Sequence, residues 1–119
     1  ENEIKQLNDK IVEQFIEKHI LLGLYQRKDL GNTDQPIWKK YFPHGVSHFI
    51  GLDVHDCGNK NIALEKGMVI SWEPGLYISE ENLGIRIEDD ILVDSPPVNL
   101  SSRIPKSVEQ IEDLMAEND

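Results

Sequence analysis

Three of the four histidines of this 119-residue chain lie in one short stretch, "HGVSHFIGLDVHD" (44–56). Their imidazoles can bind a metal ion or carry a proton near neutral pH. In a regular strand His44 and His48 would share a face but stand about 13 Å apart, because each residue advances the chain by about 3.3 Å. We therefore expect at most one of them to bind a given ion, unless Gly45 folds the backbone. The others, His55 included, would face a substrate or carry protons.

The polar residues near these histidines leave several interpretations open. Asp53 and Asp56 either bind an ion or orient His55 as hydrogen-bond acceptors. Cys57 has no second cysteine beside it, and we interpret it as inert rather than as a thiolate ligand. His19, on the polar side of the first predicted helix, is expected to be a solvated surface residue.

A pair of glutamates is the second feature that suggests chemistry. The segments "GMVISWEPGLYI" (67–78) and "LGIRIEDDILV" (83–93) predict two antiparallel strands joined by "SEEN" (79–82). If these four residues form the loop, the register places Glu73 directly opposite Glu88. Opposite side chains lie on one face with Cβ atoms only about 4.5–5.5 Å apart, and like charges in such a pair are destabilising.

Several arrangements could make this pair tolerable. The carboxyl groups could share a proton, flank Arg86, hold a cation, or be screened by solvent on an exposed hairpin. The spacing places Arg86 along the strand from Glu88 rather than between the two acids. A cation would also explain the histidines, since carboxylate and imidazole ligands together suit Mn, Zn, Co or Fe. A bend at Pro74-Gly75 could instead shift the register and turn Glu73 to the other face.

The elements that position these residues can be predicted from the apolar spacing. A helix is expected over residues 1–22 and stops at Gly23; its apolar positions are Ile4, Leu7, Ile11, Phe15 and Leu22. A shorter amphipathic segment over residues 24–30 and a loop over residues 31–36, which includes Asn32, follow. The histidine stretch is expected to be extended, residues 57–61 to form a turn, and residues 94–105 to form mostly loop.

The chain is expected to end in a second helix. Ser107 and Gln110 have the spacing of a capping box. The apolar positions of this helix are Val108, Ile111, Leu114 and Met115. The strand after the hairpin loop should cover a core with one face, formed by Ile85, Ile87, Ile91 and Val93. Together these patterns predict an α+β fold with an antiparallel sheet flanked by helices.

Composition limits the class of partner. The chain has 12 basic and 22 acidic residues, a net charge of −10. This balance argues against nucleic acid as a partner, because phosphate binding needs clustered basic residues. No apolar run approaches the length of a membrane span, so a membrane partner is not expected. The single cysteine is typical of a reducing compartment, and we expect a cytoplasmic location.

Three motifs resemble a known family. "HGVSHFIGLDVHD" resembles the signature of the Xaa-Pro aminopeptidases and prolidases, and "GMVISWEPGLYI" and "LGIRIEDDILV" resemble the two strands that follow it there. The closing "RIPKSVEQIEDLM" is similar to the C-terminal tail of that family. The resemblance covers about residues 40–115 and implies the pita-bread (creatinase/aminopeptidase-like) fold of the metallopeptidases.

The resemblance also implies roles for individual residues. His48, Glu73 and Glu88 would bind metal, with Glu88 bridging two divalent ions, most readily Mn²⁺, or else Co²⁺ or Zn²⁺. The side chains expected to face the substrate or assist catalysis are His44, His55, Glu73 and Arg86. The substrate would be a peptide with proline at its second position, cleaved at the N-terminal Xaa-Pro bond.

Two aspartates that complete the metal site in the family have no evident counterpart here. Before His44 the sequence offers Asp9 in a helical pattern and Asp29 and Asp34 in loops. Residues 1–119 are therefore expected to be the C-terminal portion of a metallopeptidase catalytic domain, half of the fold, inactive in isolation and able to bind one divalent ion or none. Such a half would expose a sheet edge, which predicts self-association as a homo-oligomer.

Alternative functions come from other classes. A prolidase, which cleaves Xaa-Pro dipeptides, would use the same residues. A mononuclear iron enzyme would need two histidines and one carboxylate. A non-catalytic module could use half of the fold to bind a partner.

Overall fold

The computed structural model of the chain describes residues 3–31 and 34–116. Two helices, α1 (Ile4–Leu21) and α2 (Val108–Ala116), accompany five short strands. The strands are β1 (Val69–Trp72), β2 (Gly75–Ile78), β3 (Leu83–Arg86), β4 (Asp89–Leu92) and β5 (Val98–Asn99). All of the strand pairs are antiparallel, in the sheets β1–β4–β5 and β2–β3.

Helix α1 ends where the sequence predicts it to end. Gly23 has a φ of +76°, in the left-handed region that favours glycine. The N–H of Leu24 donates to the carbonyl of His19, and the N–H of Gly23 donates to the carbonyl of Ile20, both at 3.0 Å. These two bonds form a Schellman motif, which satisfies carbonyls that the end of the helix would otherwise leave unpaired. Residues 1–2 of the predicted helix lie outside the described residues.

The segment after α1 is less regular than predicted. Residues 24–30 contain only the 3₁₀ turn Arg27–Gly31. The carboxylate of Asp29 accepts a hydrogen bond of 2.8 Å from the N–H of Gln26. This bond joins the residue before the turn to the third residue of the turn, so it caps the start of the 3₁₀ turn. Asn32, in the predicted loop, lies outside the described residues.

The hairpin has the predicted register. Ile78 pairs with Leu83 across the turn, which is a 3₁₀ turn at Ser79–Glu81. Further along, Trp72 of β1 pairs with Asp89 of β4 in the same register. The four-residue loop therefore sets the register of both sheets, and the bend at Pro74-Gly75 does not shift it.

Each of the two long strands predicted from the sequence is divided into two. The division falls at Glu73 and Pro74 on one side and at Ile87 and Glu88 on the other, where the chain passes from one sheet to the next. Proline has no N–H to donate to the ladder. Its carbonyl still accepts a bond of 3.3 Å from the N–H of Ile87. Glu73 therefore keeps its place opposite Glu88 at the junction of the two sheets.

Part of the histidine stretch is extended, as expected. It runs antiparallel to β1, with hydrogen bonds from the N–H of Glu73 to the carbonyl of Val46 (2.8 Å) and from the N–H of Ile50 to the carbonyl of Val69 (3.1 Å). Residues 51–55 then form successive bends. The extended half of this stretch is thus hydrogen-bonded to the strand that leads into Glu73.

The C-terminal region contains the predicted helix and a strand that was not predicted. The N–H of Gln110 donates to Ser107 Oγ, and the N–H of Ser107 donates to Gln110 Oε1, both at 3.2 Å, so the capping box is confirmed. Strand β5 lies within residues 94–105, for which mostly loop was expected. Neither helix in the described ranges has both the length and the apolar character that crossing a membrane requires.

One apolar face is more exposed than the sequence indicates. Ile85 and Ile87 are 55% and 44% exposed, so the expectation that they cover a core is wrong for this chain. This face of the β2–β3 hairpin is open, whereas Ile91 and Val93 are half-buried. The apolar positions of α2 are exposed as well: Val108, Ile111, Leu114 and Met115.

The core lies between α1, the chain before the histidine stretch, and β1. Its most buried apolar side chains are Phe42, Ile4, Val46 and Ile70. His19 is only 1% exposed, so its interpretation as a solvated residue is wrong. His19 follows Phe15 by four residues and therefore lies on the apolar face of α1, and the chain that reverses after the helix brings Tyr25 and Tyr41 onto it.

Aromatic rings enclose His19. Its ring centroid lies 5.6 Å from that of Phe15, 5.8 Å from that of Tyr25 and 5.7 Å from that of Tyr41. Nδ1 lies 3.2 Å from the Tyr25 hydroxyl, and Nε2 is buried with no hydrogen-bond partner in the described structure. Burial lowers the pKa of His19 and, with the nearby Tyr41 and Glu17, raises the pKa of Tyr25 to about 12.

The burial of His19 predicts a pH dependence of folding. The pKa of His19 is lowered in the folded state, so below about pH 6.5 the unfolded chain binds the proton more readily than the folded chain. The free energy of unfolding should therefore be highest above this pH and should fall as the pH is lowered through the folded-state value. Urea unfolding at about pH 7.5 and about pH 5.5 measures the change. We expect His19→Leu to show a smaller loss; equal losses in both proteins would contradict the assignment.

Candidate metal centre

His48 presents one ring nitrogen to the site because the other is engaged. Its Nδ1 lies 2.9 Å from the carbonyl oxygen of Phe49, which can only accept, so Nδ1 carries a hydrogen. In the neutral ring Nε2 then carries the lone pair, and it lies 3.2 Å from Glu73 Oε1. Two lone pairs that face each other need a proton or a cation between them. A hydrogen bond from Nδ1 to a backbone carbonyl is also how metal-binding histidines are commonly oriented.

The two glutamates meet at the junction of the two sheets. The side chain of Glu73 is 12% exposed and that of Glu88 is 36% exposed. Three ligand atoms, one each from His48, Glu73 and Glu88, lie within 4.8 Å of one another. In the described ranges this is the one group of three or more His, Cys, Asp or Glu residues with such spacing.

Arg86 reaches both carboxylates, which corrects the prediction that it lies only along the strand. Its Nη2 is 3.4 Å from Glu88 Oε2, and its Nε is 3.9 Å from Glu73 Oε2. Arg86 pairs across the hairpin with Gly75, which carries no side chain to block the guanidinium. Half exposed at 49%, Arg86 offsets part of the negative charge of the pair, and solvent screens that contribution.

His44 is held away from this group by a tyrosine. Its Nδ1 lies 2.8 Å from the Gly45 carbonyl oxygen and therefore carries a hydrogen, so Nε2 of the neutral ring accepts from the Tyr77 hydroxyl at 2.8 Å. A Cβ at Gly75 would lie 2.8 Å from the Tyr77 ring, and one at Gly84 would lie 3.1 Å from it. Tyr77 was not among the site residues predicted from the sequence. Its position two residues after a glycine and opposite another was the available signal.

His55 lies next to His48 but is exposed. The two ring centroids are 4.4 Å apart, at 72° to each other. The carboxylate of Asp56 bonds to the backbone of its own loop: Oδ2 accepts from the N–H of Leu52 at 3.2 Å, and Oδ1 accepts from the N–H of Cys57 at 2.8 Å. The carboxylate thus braces the loop that carries His55.

The other candidate ligands stay outside the group of three. A Cβ at Gly51 would lie 1.6 Å from Asp56 Oδ2, so the glycine makes room for the loop brace. Asp53 contributes its backbone carbonyl, which accepts from the N–H of Gly51 at 3.2 Å. Of the earlier aspartates, Asp9 is exposed on α1 and Asp29 closes a 3₁₀ turn. No aspartate in the described part of the chain joins the group of three.

The donor set fits one divalent ion. Bonds of about 2.0–2.2 Å to nitrogen and oxygen place ligand atoms at most about 4.4 Å apart. The observed limit of 4.8 Å requires only small side-chain movements. One imidazole and two carboxylates suit Mn, Zn, Co or Fe. A second ion would need further ligands.

Comparison with known proteins gives this arrangement a family. The sequence profile of metallopeptidase family M24 matches residues 4–95. The chain belongs to metallopeptidase family M24. Its relatives in M24 include the Xaa-Pro aminopeptidase of Haemophilus influenzae, to which it is 36% identical over 96% of this chain and 30% of that protein. Human Xaa-Pro aminopeptidase 3 is 42% identical over 66% of this chain and 18% of that protein.

Solved structures of M24 relatives confirm the expected fold. A candidate aminopeptidase P from Bacillus anthracis matches with a TM-score of 0.80 and 48% identity, over 95% of this chain and 26% of that one. Icp55 from Saccharomyces cerevisiae, solved with the inhibitor apstatin, matches with a TM-score of 0.77 and 30% identity, over 97% of this chain and 30% of that one. The fold is therefore of the pita-bread type, and the chain spans less than a third of the length of these relatives.

Proposed function

We propose that this chain supplies the imidazole and carboxylate side of a divalent-metal site in an Xaa-Pro aminopeptidase. The observation that carries the proposal is the convergence of His48 Nε2 with the facing carboxylates of Glu73 and Glu88. The orientation of His48, fixed by its bond to the Phe49 carbonyl, supports metal binding at Nε2. The names of the relatives support the substrate class.

We further propose that residues 1–119 are the C-terminal portion of the catalytic domain. In the whole protein, aspartates from elsewhere would complete a site for two ions, with Mn²⁺ preferred over Co²⁺ or Zn²⁺. Nothing in the described part of this chain takes the place of those aspartates, because Asp9 and Asp29 lie outside the group of three. The isolated chain is therefore expected to bind one ion and to lack peptidase activity.

The chain's own residues would divide the work of peptide hydrolysis. Bound metal supplies a water of lowered pKa and a positive charge that stabilises a developing oxyanion. The carboxylate of Glu73 would accept a proton from the attacking water. His55, exposed beside His48, would contact the peptide, and Arg86 would hold a nearby carboxylate in place.

The bond before proline makes a specific demand on this site. The proline nitrogen is tertiary in the substrate and must be protonated to leave. His44 and Tyr77 form a hydrogen-bonded pair that can hold such a proton, because Nε2 and the phenol hydroxyl lie 2.8 Å apart. We assign His44 to this step or to stabilisation of the tetrahedral intermediate, and His55 is the other candidate.

The alternatives are less well supported by the described geometry. A mononuclear iron enzyme needs two histidines, but His44 is bonded to Tyr77 and only His48 joins the carboxylates. Prolidase activity would use the same residues and differs only in substrate length. Self-association and a cytoplasmic location remain predictions; the exposed Ile85 and Ile87 support the first of them.

Titration with Mn²⁺ tests the proposal. We expect saturable binding of about one ion per chain, measured by calorimetry and by the loss of the free-ion electron paramagnetic resonance signal. The same protein with excess Mn²⁺ should release no amino acid from an Xaa-Pro tripeptide.

A second measurement addresses the substrate class. With diamagnetic Zn²⁺ bound, a peptide with proline at its second position should shift the nuclear magnetic resonance signals of His44 and His55 more than the same peptide with alanine there. Absence of saturable metal binding would overturn the proposed site. Turnover by the isolated chain would show that it contains a complete site, contrary to the proposed division of the domain.

A further inference from the structure

Ser71 connects the two residues that lie closest together in the metal centre. It lies on β1 with no exposed surface, two residues before Glu73 and on the same face of the strand. Its N–H donates to the His48 carbonyl at 2.9 Å, as an antiparallel pair requires. The N–H of His48 donates in return to Ser71 Oγ, also at 2.9 Å. In a regular ladder that return bond would go to the carbonyl of the opposite residue.

The hydroxyl of Ser71 also contacts the Glu73 carboxylate. A hydroxyl has one hydrogen to donate and two lone pairs to accept with. Since the N–H of His48 occupies one lone pair, the hydrogen is free to point at Glu73 Oε1, 3.3 Å away. This is the same oxygen that lies 3.2 Å from His48 Nε2.

We propose that Ser71 is a positioning residue that sets the placement of His48 and Glu73 relative to each other for a divalent ion. The inference rests on the proposed metal site and assigns a role that the ligands alone do not explain. The hydroxyl restrains the backbone of one ligand and the carboxylate of the other. Without it the two donors lose their shared restraint, and the ion has to order them on binding.

The neighbouring Ser47 provides a matched control. It is buried too, at 2% exposure, and it belongs to the same extended segment as His48. Its Oγ has no hydrogen-bond partner in the described structure. Ser47→Ala and Ser71→Ala therefore remove the same atom from similarly buried positions, but only the second change removes bonds to the proposed ligands.

The experiment compares wild type with Ser71→Ala, Ser71→Thr and Ser47→Ala. Loss of groups that support metal ligands typically weakens affinity by about 10–100-fold. We expect the Mn²⁺ dissociation constant of Ser71→Ala to rise by about 10-fold or more, and that of Ser47→Ala to stay within about twofold. Ser71→Thr retains the hydroxyl and should recover most of the affinity.

A metal-free readout separates positioning from a general loss of stability. In EDTA, the amide of His48 should exchange with solvent faster in Ser71→Ala, because its acceptor is gone, while amides of α2 keep their wild-type rates. Folded Ser71→Ala that binds Mn²⁺ like wild type would overturn the positioning role and leave the metal site intact. Equal weakening by Ser47→Ala would also overturn it. Failure of wild type to bind Mn²⁺ would overturn the proposed site, and the positioning role with it.

Discussion

Replacing Glu73 with glutamine is expected to abolish the stabilisation of the protein by Mn²⁺. Glutamine has the same shape as glutamate but lacks the charge, and its amide is a poor ligand for the ion. In wild type an ion that binds only the folded state raises the free energy of unfolding by RT ln(1 + [Mn²⁺]/Kd), and the melting temperature rises with it. At about 100 times Kd this amounts to about 2.7 kcal/mol. Thermal unfolding with Mn²⁺ and with EDTA measures the difference, and Glu73→Gln should show almost none.

The control for this prediction is Glu81→Gln. Glu81 lies in the exposed hairpin turn and carries the same charge, but it is outside the group of three. Its replacement removes one negative charge from the chain and should leave the Mn²⁺ effect unchanged. If both variants lose the effect equally, Mn²⁺ is attracted by the overall charge of −10 and not by a built site. If Glu73→Gln retains the full effect, Glu73 is not a ligand.

The part of the site that the sequence predicts best is the part controlled by local geometry. A four-residue loop fixes which residues of a hairpin face each other. That register carries through the junction at Pro74, so Glu73 and Glu88 lie opposite each other even though the strands are divided. The division itself follows from the missing N–H of proline, but the sequence does not show that the two halves join different sheets.

The part that the sequence does not predict depends on contacts between distant residues. The spacing from Phe15 places His19 on the apolar face of α1, but the rings of Tyr25 and Tyr41 that cover it come from the following chain. Arg86 was placed along its strand by spacing, but its long side chain bends to both carboxylates. Periodicity predicts the face of an element from which a side chain projects. The length and flexibility of the side chain decide where its polar end lies.

The three clustered histidines have three different surroundings, which spacing alone could not separate. His48 is tied through Nδ1 and presents Nε2 to Glu73. His44 is bonded to Tyr77, and His55 is exposed on a bent loop. One imidazole is thus placed to bind an ion, one to share a proton with a phenol, and one to meet a ligand from solvent. This division explains why a short stretch contains several imidazoles.

Replacing Phe42 with alanine is expected to destabilise the fold by about 3–5 kcal/mol. Phe42 has no exposed surface, and its ring centroid lies 4.8 Å from those of Phe15 on α1 and His44. Truncation removes buried apolar area and leaves a cavity between the helix and the histidine stretch. Because small domains have about 5–15 kcal/mol of stability in total, the loss is a large fraction of it. Urea unfolding at constant pH measures the change.

Two further variants keep the Phe42 prediction testable if the alanine variant does not fold. Phe42→Leu retains most of the apolar volume and should lose less stability than alanine, while Leu52→Ala, at a fully exposed position, should change stability by less than about 0.5 kcal/mol. Phe42 also packs edge-on against the His44 ring, so Phe42→Leu should alter the nuclear magnetic resonance signals of His44 and Tyr77 without weakening Mn²⁺ binding at His48. A cost near that of Leu52→Ala would show that Phe42 does not join α1 to the site. The backbone hydrogen bonds of His48 go to Ser71 on β1, so its position should not depend on Phe42. Loss of Mn²⁺ binding in folded Phe42→Leu would contradict this and show that the placement of the metal ligands depends on the His44–Tyr77 pair.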